Sequence, residues 1–292
     1  MPELKFSVVV PCYNEENAIL DTIKNIAVVL GVTGEYELII VDDGSTDSSP
    51  QILQAANQEF SMLRLLRHPV NRGYGASLKT GIRRAMSDVV IITDADGTYP
   101  IERIPEMIEM SADADMVVGT RTAVGEVTYS FIRKIPKLFL KWYASWIAGQ
   151  NIPDFNSGFR MLRKNIVEKF FNILPNGFSF TTTITLAMLT NYYDVKYLPI
   201  GYSQRIGKSK IKPVKDTLNF VQLIVRTGMY FAPLRVFSPI ILLLSFGFLA
   251  SVSYDIFYLK NLTDKTLILL LFDLNTVSFA LLADMIDKRS SR

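Results

Sequence analysis

Short β-branched runs recur along the N-terminal part of the chain, each ending in a loop of acidic or small residues before a helix-periodic stretch. Phe6-Ser7-Val8-Val9-Val10 leads into Pro11-Cys12-Tyr13-Asn14-Glu15, and residues 18–30 carry helical spacing. Residues 37–41 lead into Asp42-Asp43-Gly44-Ser45-Thr46-Asp47, followed by a helical pattern over 48–60. Residues 63–66 read as a third strand, and Asn71-Arg72-Gly73-Tyr74-Gly75-Ala76 opens a helix reaching about residue 86. Val89-Val90-Ile91-Ile92 then feeds Asp94-Ala95-Asp96-Gly97-Thr98-Tyr99-Pro100. β-branched runs bounded by turn residues predict strands, and their alternation with helices predicts an α/β fold with a mostly parallel sheet. In such sheets ligands bind beyond the carboxyl ends of the strands. The loops at 11–16, 42–47 and 94–100 all follow strands, so they converge on one edge.

Asp94 and Asp96 stand where a buried strand ends. Hard divalent cations such as Mg²⁺ or Mn²⁺ take oxygen ligands, often one or two carboxylates plus substrate phosphates. The pair therefore reads as a metal–diphosphate site. A plain turn would also use Asp, Gly and Pro here.

Beyond residue 100 the pattern continues. Residues 115–119 predict a strand leading to Thr120-Arg121, and residues 129–149 are rich in aromatics and cations, including Arg133, Lys137, Trp142 and Trp146. That composition fits a helix at a membrane interface and equally a helix on the sheet with a solvated basic edge. Asp154-Phe155-Asn156-Ser157-Gly158-Phe159-Arg160 is a loop entering a strand-like run, residues 165–171 and 181–190 have helical spacing, and residues 195–200 read as a strand. Arg205-Ile206-Gly207-Lys208-Ser209-Lys210 is a basic loop, and residues 214–228 are amphipathic.

Residues 236–254 carry no charge, which is long enough for a membrane helix. Residues 266–286 form a second apolar stretch interrupted by Asp273 and Asp284. A carboxylate inside a bilayer costs about 2.5–3.5 kcal/mol on insertion scales, so Asp273 is expected to face a neighbouring helix with Asn275, within the chain or in a homo-oligomer. Lys212, Lys215, Arg226 and Arg235 precede the first stretch, and Lys288, Arg289 and Arg292 follow the second. The cation excess at both outer ends predicts a multi-pass cell-membrane protein with its soluble part in the cytoplasm. The expected division is a catalytic domain over 1–211, an interfacial linker over 212–234 and a transmembrane hairpin over 235–292. The Asn261-Leu262-Thr263 sequon lies in a connector too short and too near the membrane to carry weight.

Composition narrows the chemistry. The single histidine, His68, argues against a Ser-His-Asp triad and a His-rich zinc site, and the single cysteine, Cys12, permits no internal disulfide. The net charge of +3 does not suggest a nucleic-acid partner. No signal peptide is visible at the N-terminus.

Taken in order, Pro11-Cys12-Tyr13-Asn14-Glu15, Val41-Asp42-Asp43-Gly44-Ser45-Thr46-Asp47, Asn71-Arg72-Gly73-Tyr74-Gly75, Asp94-Ala95-Asp96, Gly119-Thr120-Arg121, Asn156-Ser157-Gly158-Phe159-Arg160 and the basic loop at 205–210 carry a resemblance. With the apolar hairpin behind them, they resemble the family 2 glycosyltransferases of the GT-A nucleotide-diphospho-sugar fold, and within them the dolichyl- or polyprenyl-phosphate hexose synthases. The resemblance implies inverting transfer of a hexose from a UDP- or GDP-sugar to a polyprenyl phosphate, with Mg²⁺ or Mn²⁺. It places Pro11, Tyr13 and Glu15 around the base and ribose. Asp43 would accept a hydrogen bond from the base, Asp42 would support the turn, and Gly73 and Gly75 would let the backbone approach the nucleotide. Asp94 and Asp96 would serve the diphosphate and metal, and Asp154 takes the position of a candidate base, an acceptor-orienting group or a loop anchor. Arg121, Arg133, Lys137, Arg160, Arg205, Lys208 and Lys210 are the implied cations for the acceptor phosphate. Lys79 reads more simply as a solvated helix residue. Thr98 stands where many dolichyl-phosphate mannose synthases carry Gln, which leaves the sugar open.

Two other readings share these features. One is a membrane-anchored transferase acting on a growing glycan, although no Gln-x-x-Arg-Trp motif is present. The other is a non-catalytic membrane scaffold, against which the retained Asp94, Asp96, Asp154 and Arg160 argue.

Overall fold

The computed structural model describes residues 6–31, 36–121, 142–201, 222 and 224–290, with only the backbone for 287–290. They divide into two compact units, Met1–Ile135 with Ile152–Asp216 and Pro136–Asn151 with Thr217–Arg292.

The first unit is built on a sheet of seven strands among the described residues, in the order β3-β2-β1-β4-β6-β5-β7. They are β1 (Phe6–Cys12), β2 (Tyr36–Asp42), β3 (Leu63–Arg67), β4 (Val89–Ile92), β5 (Met116–Thr120), β6 (Arg160–Arg163) and β7 (Val195–Pro199). β1 pairs in parallel with β2 and β4, β2 with β3, and β5 with β7. β6 alone runs antiparallel, between β4 and β5. All seven residues of β2 are buried, as expected of a strand covered on both faces.

This topology gathers the functional loops. β1, β2, β4 and β5 point the same way, so the segments after them emerge at one edge. β6 runs the other way, so the 154–159 segment before it lies at that same edge.

Helices α1 (Ile19–Gly31), α2 (Ser49–Glu59), α3 (Tyr74–Arg84), α4 (Ile104–Met110) and α5 (Phe180–Thr190) surround the sheet. α1 follows its apolar spacing, burying Ile19, Ile23, Ile26 and Leu30. α3 approaches closely because Gly81 has no side chain: a Cβ there would lie 2.3 Å from Val9 Cγ1. α5 is buried over almost its whole length, with Thr183, Thr185 and Thr190 hydroxyls donating to carbonyls one turn back. α4 was not foreseen, because seven residues with Pro105 in the first turn offer little periodicity to read. Residues 165–171, expected as one helix, form a helical turn at Lys164–Val167 and a 3₁₀ turn at Glu168–Phe170.

The second unit contains two long helices, α6 (Pro233–Tyr254) and α7 (Asp264–Ser290). Both are long and apolar enough to cross a membrane, with spans of Pro233–Leu259 and Asp264–Ile286. Their pattern is inverted relative to a soluble hairpin. Leu242, Leu243 and Phe246 face outward at 67–73% exposure, while the polar groups meet between the helices. Ser245 Oγ donates to Asp273 Oδ2 at 2.7 Å, and Ser251 and Thr266 share a 2.6 Å hydrogen bond. Asp255 Oδ2 accepts from the Thr263 amide and from the Thr263 and Thr266 hydroxyls, closing the turn. Asp273 thus faces the other helix of its own hairpin, whereas Asn275, expected beside it, is exposed.

A helical stretch at 142–148 belongs to this second unit. Trp146 Nε1 donates to Arg235 O at 3.2 Å, and Arg235 Nη1 donates back to Ile147 O at 2.7 Å. The exposed Trp142 and Trp146 rings stack at 6.4 Å, a pairing suited to a membrane interface.

Candidate active site

Two loops form one wall of the site by lacing together. The Asn14 amide donates to Ser45 Oγ, Asn14 Oδ1 accepts from the Thr46 amide at 2.8 Å, and the Glu15 amide donates to Ser49 Oγ. Pro11, Tyr13 and Glu15 are half-buried along this seam. Cys12 between them is a core residue: burial first, then the Asp42 charge, pushes its thiol up to about 12.

Asp42 and Asp43 turn inward. Asp42 Oδ1 accepts the Ser45 amide at 2.9 Å, and Arg67 Nε stands 3.2 Å from Oδ2 as an ion pair without hydrogen-bond alignment. Asp43, expected at the nucleobase, is 3% exposed and holds its own chain. Its Oδ1 accepts from His68 Nδ1 at 2.6 Å and from the Arg72 amide at 3.0 Å, and its Oδ2 accepts from the Gly73 amide at 2.8 Å. A carboxylate only accepts, so His68 carries its proton on Nδ1 here. His68 Nε2 lies 2.9 Å from Thr80 Oγ1. The lone histidine is therefore a buried strut under the 71–75 loop.

The two glycines of that loop have a neighbour that the sequence did not reveal. A Cβ on Gly73 would lie 2.5 Å from Asn176 O, and one on Gly75 would lie 2.3 Å from Pro175 O. The close approach that they permit is to the chain's own 175–177 backbone. The Ala76 amide donates to Asn176 O at 3.1 Å. Lys79 is not a solvated helix residue: its Nζ donates to Leu174 O and to Asn176 Oδ1. Burial, then the Arg83 charge, lowers its pKa.

The carboxylate pair follows β4. Asp96 is 7% exposed, and its Oδ1 accepts from Thr98 Oγ1 at 2.7 Å and from the Thr98 amide at 3.2 Å. Thr98 thus orients the carboxylate. Asp94 Oδ1 accepts from the Tyr74 hydroxyl at 2.9 Å. Burial, then the Asp94 charge, holds the Tyr74 phenol well above its ordinary value. Gly158 lies against the pair: a Cβ there would come within 2.7 Å of Asp94 Oδ1 and 2.8 Å of the Tyr74 hydroxyl. Among the described residues no three His, Cys, Asp or Glu side chains cluster to hold a metal. Two hard oxygen donors in one short loop fit a cation whose remaining ligands come from a diphosphate or water.

The 154–160 loop lies at the same edge, with Gly158 against Asp94 and Tyr74. Arg121 donates to Asp154 through Nε at 2.7 Å and Nη2 at 3.0 Å, a bidentate pair, and the Asn156 amide also donates to Asp154. Burial raises the Asp154 pKa, but the Arg121 hydrogen bonds and charge outweigh it, and the net shift is downward. Asp154 is therefore a loop anchor, tied to Arg121 and to the Asn156 amide.

Arg160, expected at the acceptor phosphate, requires a correction. Its side chain is fully buried. Its guanidinium donates to Ser157 O at 2.7 Å, Thr185 Oγ1 at 2.6 Å and Phe155 O at 2.9 Å. Burial pulls its pKa down to about 10, which still leaves it charged at neutral pH. It clamps the loop from inside and offers no face to a ligand. Arg133, Lys137, Arg205, Lys208 and Lys210 lie outside the described residues. Tyr74 and Tyr99 went unassigned in the sequence. The Tyr99 hydroxyl accepts from the Gly158 amide at 2.7 Å, and aromatic residues beside a motif carry no signal for such contacts.

The chain is similar to proteins of known kind over this region. It is 35% identical over 189 residues to the undecaprenyl-phosphate 4-deoxy-4-formamido-L-arabinose transferase of Photorhabdus laumondii, covering 60% of this chain and 57% of that protein. It is 28% identical to the dolichyl-phosphate hexose transferase of Haloferax volcanii, covering 71% of this chain and 86% of that protein. Among solved structures it resembles glucosyl-3-phosphoglycerate synthase from Mycobacterium tuberculosis in complex with Mn²⁺, uridine diphosphate and phosphoglyceric acid. That match has a TM-score of 0.58 and 18% identity over 76% of this chain and 78% of that one, and it establishes the GT-A-like fold. Residues 7–171 match the family described as glycosyl transferase family 2. With more than half its length in that match and the acidic loops at one sheet edge, the chain belongs to glycosyl transferase family 2.

Proposed function

We propose that the chain transfers a hexose from a nucleotide diphosphate sugar, UDP- or GDP-linked, to a polyprenyl phosphate at the cytoplasmic face of a membrane. The observation that carries this is the gathering of Asp94, Asp96 and the laced 11–16 and 42–47 loops at one sheet edge, in a chain with two membrane-length helices. The relatives from P. laumondii and H. volcanii, by their names, act on undecaprenyl and dolichyl phosphates. The division into a catalytic domain over 1–211, a linker over 212–234 and a hairpin over 235–292 belongs to the same reading, as does a homo-oligomer through the hairpins.

In this reading Pro11, Tyr13 and Glu15 border the base and ribose, and Asp42, Asp43, Gly73 and Gly75 shape the pocket through the loops they hold. Asp94 and Asp96 would hold Mg²⁺ or Mn²⁺, which when bound would offset the negative charge of the diphosphate. A phosphate oxygen of the acceptor attacks the anomeric carbon from the face opposite the leaving group. The new C–O bond forms as the bond to the diphosphate breaks, and the nucleoside diphosphate departs with the electron pair. An ionised phosphate needs no strong base, consistent with a carboxylate at 154 committed to Arg121. Arg121 at the edge, with Arg133, Lys137, Arg205, Lys208 and Lys210, attracts the acceptor head group. Positioning and charge stabilisation then supply most of the rate.

The test is a panel of UDP- and GDP-sugars with polyprenyl phosphate and Mg²⁺ or Mn²⁺, resolved by product chromatography. One donor is expected to give a lipid-linked sugar, and Asp96→Ala is expected to abolish it while the protein stays folded. Product from a glycan acceptor and none from a lipid phosphate would favour the glycan-extending alternative. Full activity in Asp96→Ala would remove the metal–diphosphate assignment.

A further inference from the structure

Tyr74 is the first residue of α3, and no role in the chemistry follows from its sequence position. Three contacts define its place. Its ring stacks on Phe178 with centroids 5.5 Å apart and planes 18° from parallel. Its hydroxyl donates to Asp94 Oδ1 at 2.9 Å. The Gly158 backbone closes the other side, where a Cβ would strike both carboxylate oxygens of Asp94 and the Tyr74 hydroxyl.

The base under Tyr74 is itself fixed. The Gly73 amide before it is tied to Asp43, and the Ala76 amide after it to Asn176 O. A short loop carboxylate has two freely rotating side-chain bonds. One directed hydrogen bond from a braced phenol removes much of that freedom before any ligand arrives. Outer partners that hold a ligating carboxylate change metal affinity by about 10–100-fold when removed.

We propose that Tyr74 is a positioning residue that orients Asp94 for the divalent cation and donor diphosphate that the acidic pair would hold. The proposal rests on the metal–diphosphate reading of Asp94 and Asp96. Phe178 covers the ring, and the hydroxyl does the orienting.

The test uses Tyr74→Phe in the full chain, which keeps the stacked ring and removes only the oxygen. Mn²⁺ binding is followed by electron paramagnetic resonance with UDP and with GDP in parallel, and folding by circular dichroism. Mn²⁺ affinity is expected to fall about tenfold or more. The Mn²⁺ concentration for half-maximal transfer is expected to move by the same factor, and kcat at saturating Mn²⁺ to stay within about threefold. Phe178→Leu, which keeps the hydroxyl, is expected to change Mn²⁺ affinity by less than about threefold. Unchanged Mn²⁺ affinity in Tyr74→Phe overturns the proposal, as does a tenfold loss in Phe178→Leu, which would assign the effect to the ring stack. If Asp96→Ala binds Mn²⁺ as tightly as the unaltered chain, the metal–diphosphate reading fails and takes the proposal with it.

Discussion

Replacing Asp43 with Asn keeps the shape of the side chain and removes one acceptor oxygen. The carboxylate receives three hydrogen bonds: His68 Nδ1 and the Arg72 amide on Oδ1, and the Gly73 amide on Oδ2. An Asn oxygen placed at Oδ1 keeps two of them and turns an NH₂ group against the Gly73 N–H. The opposite rotamer loses two instead. The better case strands one buried donor, costing about 1–3 kcal/mol. It also converts two charge-assisted bonds into neutral ones of roughly half the strength. The sum is about 2–4 kcal/mol, or a fall of about 5–15 °C in Tm for a domain of this size. The assay is thermal unfolding of the purified full chain in detergent, followed by near-ultraviolet circular dichroism. Isothermal titration with UDP and GDP accompanies it, because a loosened 71–75 loop should also weaken nucleotide binding. An Asp43→Asn protein with an unchanged Tm and unchanged nucleotide affinity would refute the strut.

The other predictions test different contacts. Gly75→Ala drives a Cβ against the Pro175 and Gly177 carbonyls, which are backbone and cannot move aside, so a loss of about 3 kcal/mol or more is expected in the same unfolding assay. Gly97→Ala meets nothing within 4 Å and carries only its positive φ of 71°, so its cost should be near 1–2 kcal/mol. Because the folded state lowers the Asp154 pKa, its pairing with Arg121 contributes stability above the ordinary carboxylate value near 3.8 and loses it as pH falls through the folded value. A Tm series from about pH 6 to 3 should therefore converge with that of Asp154→Asn at the acid end; parallel curves throughout would deny the pair a role. In the hairpin, Asp273→Ala removes the Ser245 acceptor and should cost about 0.6–2 kcal/mol in detergent unfolding. Asp273→Asn, which keeps an acceptor, should stay close to the parent, and equal losses from both would argue against the hydrogen bond.

Much of the frame is local enough to read from the chain. Val89-Val90-Ile91-Ile92 has one stable use, a strand buried in an α/β sheet, and the structure gives β4 those same limits. A charge-free run long enough to cross a bilayer's hydrocarbon core has few places to go, and α6 contains all of it. The convergence of the acidic loops follows from parallel pairing, which the strand–helix alternation predicts. The sequence could not state that β6 inserts antiparallel between β4 and β5, because one reversed strand leaves no mark on periodicity.

Side-chain roles divide along another line. Residue type and position brought Asp94 and Asp96 into view, since paired carboxylates at a strand end have a short list of uses, whereas Asp154 came into view only through the family resemblance. Burial decides what a charge can do, and burial is a property of the assembled fold. Arg160 looks like any phosphate-binding arginine in sequence, yet packing buries it at the start of β6 among acceptors of its own. Gly73 and Gly75 announce a close approach, and only the contact with residues 175–177, about a hundred positions away, identifies what approaches. Local chemistry thus determined the α/β frame, the acidic loops and the apolar hairpin. Tertiary structure decided which polar groups are buried against one another, because burial and hydrogen bonds between distant segments exist only in the assembled fold.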